Sequence, residues 1–532
     1  MHRSGTSLTA GLLAQLGVEM GPRLVPSDMA NPRGYFEDLD IVHFHQRVFR
    51  ESMPQGNGGH PDWGWTPTDV VGSEEMASWA PTAARLVEHR ARRSTMWGFK
   101  DPRATLVLDF WDALLPNPVY IGVYREPARV ADSMQRLGAE VFLKNPDYAW
   151  ALWTLYNRRL LAFVRQHRRR CVLLNVDALD ANLDRLPALL RERLGLSLDG
   201  TDLRAQFDPA LLHPREDAPL LAQLSHHVWD DAATVYAELE AIADLPAADL
   251  GVSGITPFSA SLPASSCELS IVIPTYNDAH WVVDAIASAW HCAEGRHEVL
   301  VLDDGTSDPE CLRILDRLRT AGQPVIRQDN RGLPSARNTL IERARGRFIL
   351  PLDADNRLNR AFVRRALEVL QTDPQVGVVY GDRQLFGAQR ERIVVPEFDL
   401  RRMVSHNYID ACAMFRRDLW RDVGGYDPRL RLGSEDCEFW LNAGKRGWTF
   451  RHLPMIGLEY RVRPDSLVSQ AASPEGMRQF RDLLFRKHAD LLVRLLPDRR
   501  GWCFPKLPPR DTDIADLAGF QRWVLRYHWG TS

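Results

Sequence analysis

The chain reads Leu269-Ser-Ile-Val-Ile-Pro-Thr-Tyr-Asn277 directly after a stretch rich in Gly, Ser and Pro. Leu269 to Ile273 is a short apolar run bounded by turn residues, which is typical of a buried strand. Similar runs, separated by helical segments, recur at Val299 to Leu302, Val325 to Arg327, Phe348 to Leu352 and Val376 to Tyr380. This alternation predicts an α/β domain with a mainly parallel sheet in the second half of the chain.

Polar residues follow the first two of these strands. Thr275 stands just beyond the first, and Asp303 and Asp304 close the second within Val301-Leu-Asp-Asp-Gly-Thr-Ser-Asp308. In open α/β sheets, ligands bind beyond the carboxyl ends of the strands. We therefore expect Thr275, Asp303 and Asp304 to face a common ligand.

An acidic pair follows the next buried run, in the sequence Leu352-Asp-Ala-Asp-Asn356. Side chains at positions i and i+2 of an extended chain point the same way, so Asp353 and Asp355 can share one divalent cation. A ligand set made only of oxygen atoms favours Mg or Mn. An Asp-rich turn without a metal is the alternative, and the position of the pair at a strand end favours the metal site.

Two further segments place charged residues at predicted helix starts. Asn330-Arg-Gly-Leu-Pro-Ser-Ala-Arg-Asn338 contains Arg337, and Gly433-Ser-Glu-Asp-Cys-Glu-Phe-Trp440 contains Glu435 and Asp436. A capped helix start explains the first segment, and the helix dipole favours acidic residues in the second. Each segment therefore has a structural explanation beside a functional one.

Taken in order, these segments resemble the inverting, family 2-like nucleotide-sugar glycosyltransferases with the A-type fold, over residues 268 to about 470. The resemblance implies that Thr275, Asp303 and Asp304 contact the base and ribose of a nucleotide-sugar donor, with Arg337 close by. It implies that Asp353 and Asp355 hold Mg or Mn, and that the cation neutralises the leaving nucleoside diphosphate.

The same resemblance assigns the acceptor side. Asp436 is the expected catalytic base, Glu435 orients it or a sugar hydroxyl, and Trp440 walls the acceptor site. The closing segment, Leu458-Glu-Tyr-Arg-Val-Arg463 followed by Ser466, is similar to one that brings Arg residues toward the pyrophosphate, with His452 nearby.

The beginning of the chain has a different motif. His2-Arg-Ser-Gly-Thr-Ser7 runs into the apolar amphipathic stretch Leu8 to Leu16. Free N–H groups at such a helix start, with the helix dipole, the hydroxyls and Arg3, can bind a phosphate or sulfate group. The loop lacks the G-K-[ST] of a Walker A sequence, so a kinase or ATPase is disfavoured.

Strand and helix signals alternate beyond this loop and predict a second parallel sheet. The predicted strands are Met96 to Phe99, Val119 to Val123 and Val172 to Val176, and the predicted helices are Ala104 to Leu115, Pro127 to Leu137 and Leu183 to Leu194.

Residues 1 to 210 resemble the sulfotransferases that use 3'-phosphoadenosine 5'-phosphosulfate (PAPS). The similar segments are the initial loop, Asn31-Pro-Arg-Gly-Tyr-Phe-Glu37, Gly98-Phe-Lys-Asp-Pro-Arg103, and Arg125-Glu-Pro127 with Ser133. The resemblance implies that the 5'-phosphosulfate contacts Arg3, Ser4, Gly5, Thr6 and Ser7, and that the 3'-phosphate contacts Arg125 and Ser133.

Sulfuryl transfer needs a base for the acceptor hydroxyl and cations for the transferring group. Glu37 is the expected base, with Arg3 and Lys100 as electrostatic partners, and Asp101, His43 and His45 remain alternatives. Such a loop normally follows a buried strand, yet this one begins at residue 2 without a preceding strand. A misassigned start, and so a longer native protein, is the preferred expectation, and a damaged domain is the alternative.

Composition and length limit the class of protein. At 532 residues the chain predicts two or three domains. The expected divisions are a sulfotransferase-like domain at 1–210, a helical segment and linker at 211–266, a glycosyltransferase domain at 267–500 and a tail at 501–532. The net charge of −3 disfavours nucleic acid as a partner. Seven Cys without C-x-x-C spacing disfavour disulfide and zinc frameworks.

These observations predict a bifunctional transferase that glycosylates a glycan or glycolipid acceptor and transfers a sulfuryl group from PAPS to a hydroxyl. The alternatives are a glycosyltransferase with an inactive sulfotransferase-like module, and a non-enzymatic glycan-binding scaffold. Without a membrane span or a signal peptide, we expect a cytoplasmic protein of bacterial polysaccharide biosynthesis, peripheral to the inner face of the membrane at most. The sequence does not predict the oligomeric state.

Overall fold

The chain divides into two compact units, Met1–Ile255 and Thr256–Ser532. The computed structural model describes residues 1–28, 31, 33–52, 60–66, 71–198, 202–204, 207, 216–247, 267–292, 297–463 and 473–495. The predicted linker at 251–266, Ser466 and the tail at 501–532 lie outside the described residues.

The first unit is rich in helices. Its α-helices are α1 (Thr6–Gln15), α2 (Leu39–Ser52), α3 (Ser73–Ser78), α4 (Ala80–Ala91), α5 (Leu108–Leu114), α6 (Pro127–Arg136), α7 (Glu140–Lys144), α8 (Tyr148–Gln166), α9 (Leu179–Asn182), α10 (Leu186–Leu194), α11 (Ala218–Val228) and α12 (Asp230–Ile242). Short 3₁₀ turns span Pro61–Trp63, Pro102–Val107, Arg168–Arg170, Val176–Ala178 and Leu183–Arg185. The helices α11 and α12, from the segment predicted to connect the two domains, lie within this unit.

Two parallel strands, β1 (Tyr120–Tyr124) and β2 (Cys171–Asn175), form the sheet of the first unit within its described residues. Both strands were predicted from their apolar runs. Leu12 of α1 and Leu16, directly after this helix, pack in one apolar core with Val123 and Leu174 of these strands. The core therefore fixes the helix that follows the initial loop against the sheet.

The prediction of a strand at Met96 to Phe99 is wrong. Trp97 makes a single isolated bridge to Glu19, and the Gly98 amide donates to the Glu19 carbonyl at 2.9 Å. The partner segment around Glu19 offers pairing at this point alone, so the apolar run does not extend into a ladder. The predicted helix from Ala104 to Leu115 divides into the 3₁₀ turn Pro102–Val107 and α5.

The second unit is a mixed α/β domain. Its helices are α13 (Ala279–His291), α14 (Pro309–Thr320), α15 (Leu333–Arg343), α16 (Arg360–Thr372), α17 (Leu400–Ser405), α18 (Arg417–Val423), α19 (Glu435–Lys445) and α20 (Pro474–Leu495). Its strands are β3 (Leu269–Thr275), β4 (His297–Asp303), β5 (Val325–Arg327), β6 (Phe348–Pro351), β7 (Arg357–Leu358), β8 (Val376–Gly387), β9 (Arg392–Ile393), β10 (Met414–Arg416) and β11 (Thr449–Val462).

The strands of the second unit form one sheet in the order β5-β4-β3-β6-β10-β8-β11-β7, with β9 paired to β8. The strands β5, β4, β3 and β6 are mutually parallel, whereas β10 runs antiparallel to both β6 and β8. All five strands predicted in this region are confirmed. The sheet is mixed, because the short strand β10 inserts between β6 and β8.

Burial explains why these strands form. Every residue of β3 and β6 is buried, as parallel strands covered by helices on both faces require. The core includes Val272, Ile349, Phe415 and Trp440. In the described part of the chain, no helix combines the length and the apolar character that a membrane crossing requires.

Candidate active site

The carboxyl ends of β3 and β4 lie side by side. Thr275 and Asp303 are directly paired in the register of these two strands. The Thr275 hydroxyl is buried without a hydrogen-bond partner, and the next residue, Tyr276, leaves 49% of its surface exposed. A buried hydroxyl beside an exposed aromatic ring suits a ligand with a polar sugar and a planar base.

The carboxylates of Asp303 and Asp304 hold the surrounding loops. Asp303 accepts a hydrogen bond from the Thr306 amide at 2.8 Å and from the Arg327 guanidinium at 2.7 Å. Asp304 accepts from the Arg331 and Gly332 amides at 3.0 and 2.8 Å. Both residues are buried at the predicted place, and their contacts within the chain shape the edge of the sheet.

The acidic pair lies just beyond β6, and each carboxylate has an Arg partner. Arg337 donates to Asp353 Oδ1 at 2.6 Å, and Arg463 Nε lies 2.9 Å from Asp355 Oδ2. Arg463 also binds both oxygens of Asp278 at 2.8 Å. Three carboxylates, those of Asp278, Asp353 and Asp355, therefore share one part of the site.

This carboxylate group fits a divalent cation. Burial raises the pKa of Asp355 to about 7, and although Arg463 lowers that pKa, Asp278 and Asp353 raise it. Negative charge at this position is therefore only partly balanced by the chain itself. Mg or Mn would be held by Asp353 and Asp355, whose oxygen donors match the preference of these ions.

Asp436 lies in the first turn of α19. Ser434, immediately before the helix, has a left-handed backbone with φ of 66°, which turns the chain sharply into α19. Asn407 donates to Asp436 Oδ2 at 3.0 Å, and Asp436 Oδ1 accepts from the Cys437 amide at 2.7 Å. These bonds fix the orientation of the carboxylate.

The electrostatics of Asp436 suit a base. Its pKa is raised to about 7, first by burial and then by the charges of Glu435 and Asp410, against the opposing effects of Arg337 and Asn407. A general base works best when its pKa lies near the working pH. Asp436 can therefore accept a proton from a hydroxyl group near neutral pH.

Arg337 connects the acidic pair to the helix of the base. Its side chain is 1% exposed, and it pairs with Glu435 as well as with Asp353. Its guanidinium lies 5.5 Å from the centre of the Tyr426 ring. The sequence motifs placed Arg337 near the donor, and the structure places it between the two predicted carboxylate sites.

Some residues of this cluster were missed by the sequence analysis. Asp278 follows a recognised strand-end motif and was open to inference, whereas Asn407 and Asp410 lie in a segment without a motif. Asp410 Oδ2 lies 3.5 Å from a guanidinium nitrogen of Arg383, so the two side chains form an ion pair. Burial raises the pKa of Asp410. Only the fold brings Asn407 and Asp410 to Asp436.

Two other expectations are wrong. Trp440 is fully buried in the apolar core, against Phe415 and Phe439, and does not wall an acceptor site. His452 contacts Asp382 at 3.0 Å near the start of β11, whereas Arg461 and Arg463 lie at the other end of that strand and beyond it.

The residues predicted at the beginning of the chain also converge. Arg3 Nε donates to Ser133 Oγ at 2.8 Å, which connects the initial loop to α6. Lys100 Nζ donates to Ser7 Oγ at 3.2 Å and pairs with Glu37. The fold thus brings the initial loop, a carboxylate and two cationic side chains together from four separate segments.

Gly5 is required at the start of α1. Its φ is 79°, and an added Cβ would lie 2.2 Å from Val176 Cγ2. The hydroxyl of the neighbouring Ser4 is buried without a hydrogen-bond partner, while Thr6 and Ser7 are half-buried. This loop is therefore a compact cradle with a free donor.

The contacts of Glu37 differ from those of the other candidate bases, Asp101, His43 and His45. His45 and Asp101 are buried against each other at 2.9 Å, with Arg103 on the same carboxylate at 2.8 Å, and His43 is exposed. Burial raises the pKa of Glu37 and lowers that of Lys100. Arg125 donates to Asp177 Oδ1 at 2.9 Å, close to the helix that carries Ser133.

The second unit is thus an α/β domain with an acidic cluster near the carboxyl ends of its parallel strands. Residues 270–424 match the family model "Glycosyl transferase family 2", and residues 348–505 match "Glycosyl transferase family group 2". The second unit therefore carries a family 2 glycosyltransferase domain.

Named relatives match part of this chain. The chain is 28% identical to the chondroitin synthase of Escherichia coli over 35% of its own length and 28% of that enzyme. It is 23% identical to the putative teichuronic acid biosynthesis glycosyltransferase TuaG of Bacillus subtilis, over 44% of this chain and 92% of TuaG. The chain thus spans less than a third of the length of the chondroitin synthase.

One solved structure is similar to this chain at a lower sequence identity than these relatives. The crystal structure of S. aureus TarS 1–349 in complex with UDP-GlcNAc is 20% identical, with a TM-score of 0.33, over 38% of this chain and 60% of that one.

Proposed function

We propose that this protein transfers a sugar from a nucleotide-sugar donor to a hydroxyl group of a glycan or glycolipid acceptor, with inversion at the anomeric carbon. The observation that carries the proposal is the cluster in which Arg337 joins the acidic pair to the helix of Asp436. The family 2 match and the carbohydrate-synthesising relatives support the reaction class.

The residues of the site have separate tasks in this proposal. Thr275 and Tyr276 accept the nucleoside, while Asp303 and Asp304 hold the loops around it. Asp436 takes the proton of the acceptor hydroxyl as its oxygen attacks the anomeric carbon, and the bond to the nucleoside diphosphate breaks. A cation on Asp353 and Asp355 supplies charge neutralisation for the departing diphosphate.

A glycosyltransferase alone is better supported than a bifunctional enzyme. The family matches fall at residues 270–505, and they concern glycosyl transfer. The scaffold alternative is the least supported, because Asp353, Asp355 and Asp436 are all present in one cluster with a base of suitable pKa.

Sulfuryl transfer by the first unit is the second candidate, and one arrangement favours it. Lys100 contacts both Ser7 of the initial loop and Glu37, as a base and a cation beside a transferring anion require. In this candidate, PAPS would lie with its phosphosulfate on residues Arg3 to Ser7, and Glu37 would accept the proton of the hydroxyl.

Donor binding gives the first test. We expect one nucleotide sugar, added with Mn, to raise the melting temperature of the full chain, because a ligand that binds only the native state stabilises it. At a concentration of about 100 times Kd the gain is about 2.7 kcal/mol. Differential scanning fluorimetry over a panel of nucleotide sugars measures it.

The double variant Asp353→Asn/Asp355→Asn is expected to lose this shift, and Asp316→Asn on the exposed face of α14 serves as the control. A shift that survives in the double variant argues against the acidic pair as the cation site. Adenosine 3',5'-bisphosphate in the same panel tests the second candidate, and no shift with it counts against PAPS binding.

The pH dependence of transfer gives a second prediction. The pKa of Asp436 is raised to about 7, so its basic form is lost as the pH falls below that value. We expect kcat/KM for the acceptor to fall about tenfold for each pH unit below about 7 and to level off above it, because this ratio reports the groups of the enzyme without acceptor. Rates at limiting acceptor and saturating cation measure this profile.

Saturating cation is needed because Asp355 also has a pKa raised to about 7. Protonation of Asp355 weakens cation binding, which excess cation overcomes, whereas protonation of Asp436 cannot be overcome in this way. A profile that stays flat down to about pH 5 would exclude Asp436 as the base.

A further inference from the structure

A second group of metal-ligating residues lies outside the acidic site of the second unit. His280 is in the first turn of α13, Asp308 precedes α14, and Cys311 is in the first turn of α14. Their nitrogen, oxygen and sulfur donor atoms all lie within 4.8 Å of one another. These residues come from two motifs separated in sequence.

The sheet explains why they meet. The strands β3 and β4 are adjacent and parallel, so the helices that follow them begin at the same edge. Asn277 fixes this edge, because its Oδ1 accepts hydrogen bonds from the amides of Ser307 and Asp308 at 2.9 and 3.0 Å. The backbone that carries the three donors is therefore held in place.

The donor set differs in kind from that of Asp353 and Asp355. A thiol, an imidazole and a carboxylate together match the ligands of Zn²⁺, whereas Mg²⁺ and Mn²⁺ prefer oxygen alone. Cys311 is fully buried, and His280 and Asp308 are half-buried.

The geometry requires only a small adjustment. Ligand atoms around a tetrahedral Zn²⁺ lie about 3.3–3.8 Å apart, given bonds of about 2.0–2.3 Å. The donors within 4.8 Å must therefore approach by about 1 Å, which the side-chain torsions of His280 and Asp308 allow. Asp308 accepts a hydrogen bond from the Cys311 amide through Oδ1 at 2.8 Å, which holds the carboxylate next to Cys311.

We propose that His280, Asp308 and Cys311 bind one thiophilic divalent ion of the Zn²⁺ type, with water at the fourth position. Binding forms the sulfur–metal bond, and the thiol proton passes to solvent. The ion joins the loop after β3 to the loop after β4. Thr275 and Asp303 end the two strands, and Tyr276 and Asp304 begin the loops. The ion therefore stiffens the edge at which the nucleotide is proposed to bind.

The alternative is a purely structural one. Asp308 caps α14, and Cys311 is then an ordinary buried residue of that helix. In the first explanation the three side chains bind one metal ion together, and in the second they do not. That difference is measurable without any assay of glycosyl transfer.

The test uses the full chain carrying Asp353→Asn/Asp355→Asn, freed of metal by a chelator and kept in excess Mg²⁺. We expect one equivalent of Cd²⁺ to produce the ultraviolet charge-transfer band of a cadmium–thiolate bond. A competing chromophoric chelator then gives the Zn²⁺ affinity. Because this variant lacks the acidic pair, any metal that it binds is not held by Asp353 and Asp355. The result therefore does not depend on whether the proposed Mg or Mn site is correct.

Three variants and one control define the site. Cys311→Ser is expected to abolish the band and weaken Zn²⁺ binding at least about 100-fold, since losing even an outer partner of a ligand costs about 10–100-fold. His280→Gln and Asp308→Asn are expected to weaken binding at least about tenfold, and Asn still caps the helix. Cys267→Ser, at another buried cysteine, is expected to change neither quantity.

The absence of a band at one equivalent of Cd²⁺ would overturn the proposal. So would a band that persists in Cys311→Ser, because another thiol then binds the ion. If Cys311→Ser does not fold, His280→Gln at its half-buried position decides the matter, and unchanged Zn²⁺ affinity in that variant rejects the site.

Discussion

Replacement of Asp436 by Asn is expected to lower kcat for glycosyl transfer at least about 100-fold, with donor binding unchanged. General base catalysis contributes about 10²–10⁴-fold to a rate, and an amide cannot accept the proton. Asn keeps the size of the side chain and its place in the first turn of α19. Steady-state rates with saturating donor and acceptor measure the loss, and the thermal shift with donor confirms that the site is intact.

Asp418→Asn is the matched control, because Asp418 is also an acidic residue in the first turn of a helix and its side chain is 79% exposed. We expect its kcat to stay within about twofold of the parent, as surface substitutions usually have small effects. A comparable loss in both variants would mean that helix stability, and not proton transfer, is measured. If Asp436→Asn keeps its activity, Asp410 becomes the next carboxylate to test.

Much of the second unit was predictable because several of its strands are short, apolar and buried. The runs at β3, β4, β6 and β8 are bounded by polar residues, so their length, composition and flanking residues locate them, and the same signals locate β5 although it is partly exposed. The short strand β10, which makes the sheet mixed, has only Met414–Arg416 and lacks such a signal. Its place between β6 and β8 depends on contacts distant in sequence.

The candidate site shows the same limit. Asp353, Asp355 and Asp436 stand in recognisable motifs, and each was predicted with a role. The role of Arg337 as a partner of both Asp353 and Glu435 was not predictable, because Arg337 and Glu435 are 98 positions apart. Ion pairs of this kind follow from the register of the sheet and the packing of helices, which no local pattern encodes.

In the first unit, the sequence predicted a strand that the structure does not form. The apolar run at Met96 to Phe99 has the composition of a strand. It forms a single bridge, because the segment around Glu19 pairs with it at one point. By contrast, Gly5 and the hydroxyl residues after it were recognised correctly as a helix start, since a left-handed glycine and a helix N-terminus leave a local signature. Local chemistry is readable from sequence, whereas strand partners are not.

Replacement of Arg337 by Met is expected to lower the free energy of unfolding of the second unit by about 3–5 kcal/mol. Arg337 is buried between Glu435 and Asp353, so Met removes the positive charge and leaves the buried Glu435 carboxylate near Asp353 without its cation. Removing one partner of a buried ion pair costs this much because the remaining charge lacks solvation. Hydrogen exchange of the α19 amides in the full chain, read by mass spectrometry, measures the opening free energy of this unit.

The double variant Arg337→Met/Glu435→Gln separates charge from packing. Gln removes the uncompensated charge at Glu435, so we expect it to restore part of the lost stability, whereas a loss caused by the shape of Met would persist unchanged. Arg313→Met, in a half-exposed pair on α14, is the control and is expected to change stability by less than about 1 kcal/mol. If Arg337→Met resembles that control, Arg337 is not what holds the acidic pair and the helix of Asp436 together, and the two sites must be positioned by the sheet and its core alone.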